Sequence, residues 1–117
     1  MNYLELASDV DPYRPLIYLW EILGSDGKVA FRYVGKASGG AHRPRTQYQR
    51  NVVNLIEGRP YRRSKPEAFR AVHWRMAQAV SDGEVIQLRL LCNVQEGQNI
   101  NALERHWQAH YGTPPSV

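Results

Sequence analysis

Residues 16–35 decide the fold: Leu16-Ile17-Tyr18-Leu19-Trp20-Glu21-Ile22-Leu23, then Gly24-Ser25-Asp26-Gly27-Lys28, then Val29-Ala30-Phe31-Arg32-Tyr33-Val34-Gly35. The outer runs are rich in β-branched and aromatic residues and read as strands. The polar, glycine-bearing centre reads as a turn, so the three pieces make a hairpin. A two-residue turn at Ser25-Asp26 sets Tyr18 opposite Tyr33. One at Asp26-Gly27 sets Tyr18 opposite Gly35 and Trp20 opposite Tyr33. Strand side chains alternate with period two, so both registers put Tyr18 and Tyr33 on one sheet face. A three-residue loop would break that relation.

Outward from the hairpin, residues 36–42 (KASGGAH) form a small-residue loop. Pro44 suits the first position of a helix, and Tyr48, Val52, Leu55 and Ile56 recur at helical spacing. Glu57-Gly58-Arg59-Pro60 stops that helix, and Tyr61 to Lys65 is a basic loop. Ser64 and Pro66 cap and open a second helix with an apolar stripe of Phe69, Val72, Met76 and Ala79 or Val80. Glu84 to Cys92 alternates as a third strand, with Ile86, Leu88, Leu90 and Cys92 on one face. Asn99 or Asn101 caps a last helix carrying Ile100, Leu103, Trp107 and Tyr111. The expected fold is α/β: a small antiparallel or mixed three-stranded sheet flanked by helices, in the order β-β-α-α-β-α. Residues 1–14, closed by Pro12 and Pro15, read as a lead-in, residues 15–112 as one domain, and residues 113–117 as a tail.

The chain has 117 residues, 43% hydrophobic and 22% charged, the profile of one globular domain. Its apolar runs are far shorter than the roughly 20 residues that cross a bilayer. The acidic start (Glu5, Asp9, Asp11) argues against a secretory signal. Cys92 is the single cysteine, which excludes an intramolecular disulfide and a multi-cysteine zinc site, and makes a cytoplasmic setting the default.

The net charge of +4 is unevenly spread. Residues 43–75 hold nine basic residues against Glu57 and Glu67, a net of +7. Eight of the nine are arginine, whose planar fork suits phosphate. The block suggests a polyanion partner, most often nucleic acid, with a solvated basic helix face as the plainer reading.

The wording around the tyrosines is informative. Leu16-Ile17-Tyr18, then Tyr33-Val34-Gly35-Lys36-Ala37, then an arginine-bearing helix, then a late-helix glutamate in Ala102-Leu103-Glu104-Arg105 resembles the GIY-YIG nuclease family. The likeness spans about Leu16 to Tyr111, and the element order is also that of the family's catalytic domain. It departs at Leu16, which replaces the first motif's glycine, and in a longer gap between the motifs.

The resemblance implies a metal-dependent DNA endonuclease. Tyr18 and Tyr33 would lie near the attacking water and the scissile phosphate. Arg43 would be the catalytic arginine, with Arg45 as its rival on the inward stripe that leads to Tyr48. Tyr48 would stand for the family's His or Tyr one turn later, although Gln47 holds the strict spacing. Glu104 would bind one Mg²⁺ or Mn²⁺ ion. Its plainer reading is an ordinary first-turn helix acid.

Lys36, Arg50, Arg59, Arg62, Arg63, Lys65 and Arg70 would contact nucleic acid. His42 and His73 are weaker candidates for moving a proton. His106 and His110 stand four apart but lack the partners of a zinc site. A non-cutting DNA- or protein-binding module of the same fold, or a subunit of a larger assembly, is the alternative. A catalytic core of this size is expected to fill the 117 residues, so target choice would come from the core's own basic segment, a homo-oligomer or a partner protein.

Overall fold

A computed structural model describes residues 1–114. Residues 115–117 of the expected tail lie outside the described residues. In chain order the elements are β1 (Leu4–Glu5), β2 (Leu16–Leu23), β3 (Val29–Ala37), a π-helical turn (Arg43–Gln47), α1 (Tyr48–Ile56), α2 (Ala71–Asp82), β4 (Val85–Asn93) and α3 (Ile100–Tyr111).

The hairpin reaches its register by an unexpected route. Gly24 N–H donates to the Lys28 carbonyl at 2.9 Å, which leaves Ser25, Asp26 and Gly27 as a three-residue loop. Gly27 takes the left-handed φ of 78° that such loops require. The loop alone would throw Tyr18 and Tyr33 onto opposite faces. A bulge corrects it: Ile22 pairs with Phe31 but Leu23 pairs with Val29, so Ala30 is the extra residue. Tyr18 therefore faces Gly35, and Trp20 faces Tyr33.

The sheet has four strands, ordered β1-β4-β2-β3, not three. β1 comes from the expected lead-in and pairs parallel to β4, with Leu4 opposite Gln87. The remaining pairings are antiparallel, so the sheet is mixed. Tyr3 secures this end by stacking edge-on against Trp20 at 5.2 Å and donating its hydroxyl to the Arg45 carbonyl. A two-residue strand leaves no alternation to read, and its partner lies some 80 residues away in the sequence.

Each face of the sheet has its own cover. Tyr18, Trp20 and Ile22 point, with Ile86, Leu88 and Leu90, toward Tyr48 and Val52 of α1 and Val72, Met76 and Ala79 of α2. Ile17, Leu19 and Val34 point the other way, toward Ile100, Leu103, Trp107 and Tyr111 of α3. Cys92 packs on the α3 side, opposite to its expected face, because a bulge at Leu91 shifts the β2–β4 register between Ile17 and Tyr18.

The second helix begins at Ala71, five residues after Pro66. Ser64 and Pro66 instead border a tight turn in which Lys65 N–H donates to the Arg62 carbonyl at 3.1 Å. The true start is set by His73, whose Nδ1 accepts the Arg70 N–H at 3.0 Å. Phe69 stays outside the helix and meets the Tyr61 ring at 5.4 Å. The irregular stretch from Glu57 to Phe69 thereby delivers Arg70 to the sheet.

Candidate active site

A cleft of about 590 Å³ opens beside β3. β3 is an edge strand, so helices that cover opposite faces of the sheet meet there. The hairpin contributes Tyr18, Tyr33 and Lys36. The π-helical turn and the residue before it contribute His42, Arg43 and Gln47. Arg70 enters from the start of α2, and Asn101 and Glu104 enter from α3.

Beneath the cleft lies a bonded cluster of phenols and one guanidinium. The Tyr18 and Tyr48 hydroxyls are 2.8 Å apart, and either can donate. Arg70 donates through Nη1 to Tyr33 Oη and through Nη2 to Tyr48 Oη, each at 2.9 Å. Its guanidinium also lies over both rings, 5.8 Å from the Tyr33 centroid and 5.5 Å from that of Tyr48. One planar cation thus satisfies two buried hydroxyls that would otherwise be costly to desolvate.

The environment tunes these groups. Burial pushes the Tyr18 hydroxyl up to about 12, partly offset by Tyr48 and by Arg43 beside it. Burial likewise drives Tyr48 far above the ordinary phenol range. At neutral pH Tyr18 is therefore a neutral phenol. Burial opposes the charge on Arg43, but the Tyr18 and Tyr48 oxygens more than offset that, and the arginine stays cationic.

His73 sits behind the cluster, fully buried. Burial, then the charges of Arg70 and Arg43, lower it to about 4. A ring that stays neutral in the folded protein but takes a proton near pH 6.5 when unfolded makes stability fall with acidity. The loss is confined to the window from about pH 6.5 down to about 4 and can reach about 1.4 kcal/mol per pH unit. Urea unfolding at pH 7.5 and pH 4.5 reads this directly. His73→Gln, which cannot take a proton, is expected to flatten the dependence. An unchanged slope in that variant would disprove the assignment.

Gly35 is required by a close approach. A Cβ at this position would lie 2.4 Å from Tyr18 Oη and Cζ, because the Tyr18 ring crosses the Gly35 backbone. Its φ is not left-handed, so the constraint is space and not backbone conformation. Gly35→Ala is expected to displace the Tyr18 hydroxyl and to lower any activity of the site at least about tenfold, since small misplacements are costly. Activity and a melting curve, measured together, separate displacement from unfolding.

The other sequence candidates fall in distinct places. Arg45 does not reach the cleft. Its Nε and Nη2 donate to the two Glu5 carboxylate oxygens at 2.8 and 2.7 Å, fastening α1's approach to β1. The correction has a plain cause: the π-helical turn carries Arg43 and Gln47 into the cleft and turns Arg45 toward the N-terminal strand. Tyr48 lies below the cleft floor, hydrogen-bonded to Tyr18 and Arg70, while Gln47 lines the cleft itself.

Lys36 Nζ bonds Asn101 Oδ1 at the rim. Asn99, not Asn101, caps α3, accepting the Ala102 N–H at 3.0 Å. Arg59 pairs with Glu57. Lys65 lines neither hollow, whereas Arg50, Arg62 and Arg63 line a second one of about 470 Å³. His106 and His110 are exposed and pack on the Trp107 ring.

Arg70 is the residue whose role sequence reasoning underrated. The sequence counts it among the residues that would contact nucleic acid, yet it binds two of the three tyrosines. The signal available was its position just before a helix whose third residue is His73.

Among the described residues, no group of three or more His, Cys, Asp or Glu side chains is arranged to hold a metal ion. The cleft has a single acidic lining residue, the largely buried Glu104. That donor set fits a hard cation such as Mg²⁺, which keeps most of its waters and takes one or two protein carboxylates with substrate phosphate oxygens. It does not fit zinc, which needs three or four nitrogen or sulfur-rich ligands. Compared with protein-family models, curated proteins and solved structures, the chain matches none of them.

Proposed function

We propose that the protein is a metal-dependent DNA endonuclease of the GIY-YIG type, hydrolysing phosphodiester bonds with one divalent ion. The observation that carries this reading is convergence. Tyr18, Tyr33, Arg43 and Glu104 come from three separate parts of the chain and line one cleft. The α/β fold, a mixed four-stranded sheet with three helices, is compatible with this reading.

Arg43 presents a charged fork to the non-bridging phosphoryl oxygens, where negative charge grows during attack. Lys36 and Arg70 hold further positive charge at the cleft, so a phosphate enters a favourable field. Glu104 would hold Mg²⁺ or Mn²⁺, which when bound supplies Lewis-acid polarisation and help for the leaving oxygen.

Tyr18 orients the attacking water and does not remove its proton. A neutral phenol can accept that proton only by passing on its own. The receiver would be Tyr48, whose other partner, Arg70, has no acceptor. Proton removal falls to His42, whose imidazole can offer an acceptor nitrogen at the cleft wall, or to Tyr33 where its own proton passes to water in the cleft, since its partner Arg70 cannot take it.

The deciding experiment incubates supercoiled plasmid with the purified protein. The expected result is nicked or linear DNA with Mg²⁺ or Mn²⁺ and intact plasmid with EDTA. Salt-sensitive DNA binding without cutting would replace this reading with that of a non-cutting binding module.

A further inference from the structure

The second hollow has a composition that phosphate contact alone does not require. Gln47, Asn51 and Asn54 are spaced i, i+4 and i+7 and form one half-buried stripe along the side of α1, and the turn before it, that borders the hollow; Asn51 Nδ2 also lies 3.5 Å from His73 Nε2. Arg50 stands in the same stripe. Arg62 and Arg63, from the irregular segment after α1, face it across the hollow.

Among the described residues these three arginines, like Arg43 at the cleft, have no carboxylate partner. Arg45, Arg59 and Arg75 each pair with a carboxylate, and Arg70 is held by two tyrosines. Among the described residues no ion pair engages Arg50, Arg62 or Arg63, and no acidic residue lines their hollow.

Carboxamides and arginines are the side chains that read base edges. Asn or Gln pairs bidentately with adenine, and Arg with guanine, in a major groove wide enough for a helix. Phosphate tracking needs only cations. Gln47 lines this hollow and the candidate active site alike, so what binds here lies next to what is cut.

We propose that this stripe of α1, with Arg62 and Arg63 opposite, is a base-reading surface that makes the protein select purines beside the scissile phosphate. The inference rests on the nuclease reading and adds to it a source of target choice within the single domain. Asn54 discriminates between bases, Asn51 is held beside it by His73, and Arg62 and Arg63 hold the backbone across the hollow.

The test is selection of bound duplexes from a random-sequence DNA pool in EDTA, where no cutting occurs. A sequence preference of about tenfold or more at one or two adjacent purines is expected. Asn54→Ala should relax the preference at one position. Arg62→Ala with Arg63→Ala should weaken binding equally across sequences and lower its salt dependence.

Binding without any base preference would overturn this inference and leave the nuclease reading standing. Absence of binding even at low salt would overturn both. Plasmid cutting with Mg²⁺, run on the same preparation, separates a failed base reader from a protein that is not a nuclease. A melting curve for each variant confirms that it is folded.

Discussion

Glu104→Gln is expected to lower Mg²⁺-dependent plasmid cutting about a thousandfold while moving the melting temperature by no more than a few degrees. The amide keeps the volume of the carboxylate in its buried place on α3, so packing is preserved. What disappears is the negative charge at the only acidic position, among the described residues, on the cleft wall. A divalent ion contributes several kcal/mol of charge stabilisation to such a reaction, and each 1.4 kcal/mol is about tenfold in rate. Single-turnover cutting of plasmid at saturating Mg²⁺ checks the expectation. Wild-type rates in this variant would remove Glu104 from the mechanism, whatever its position.

The second large effect separates two arginines that stand two residues apart. Arg43→Ala is expected to slow cutting by about 10²–10³, the usual consequence of removing one preorganised group that meets charge growing in the transition state. Its stability should change little, because the side chain is exposed at the cleft mouth. Arg45→Ala is expected to do the reverse. It breaks a half-exposed, two-pronged ion pair with Glu5, a loss of up to about 1 kcal/mol, and leaves the cutting rate near wild type. Rate and urea stability measured on both variants give a crossed pattern. The opposite crossing would return the catalytic role to Arg45.

Much of the site is readable along the chain because its tyrosines sit in a hairpin. Strand alternation is a local rule, and two short apolar runs around a glycine-bearing turn are enough to put Tyr18 and Tyr33 on one face. Even there the argument from loop length fails in detail. The loop has three residues, and Ala30, bulged out of the ladder, restores the parity. A bulge reflects twist and packing across strands, which a single run does not display.

Helical spacing misleads at Arg45 for a related reason. The stripe that joins Arg45 to Tyr48 assumes about 3.6 residues per turn, and the segment from Arg43 to Gln47 is wound more loosely. The partner that captures Arg45, Glu5, lies in a strand too short to be seen as one.

By itself, the sequence determined that this chain makes an α/β fold with a hairpin, three helices and a basic middle third. Those features depend on local periodicity, turn chemistry and charge count, all of which are fixed by neighbours in the chain. Only the tertiary structure decided that the sheet has a fourth, parallel strand, that Arg43 and not Arg45 faces the cleft, and that Arg70 ties Tyr33 to Tyr48. Each of these depends on which distant segment fills a given space, and burial strongly favours the arrangement in which a charged group finds its partner. Gly35 belongs to both levels: its place in the strand is readable in the sequence, but the Tyr18 ring lying 2.4 Å from where its Cβ would be is a fact of packing alone.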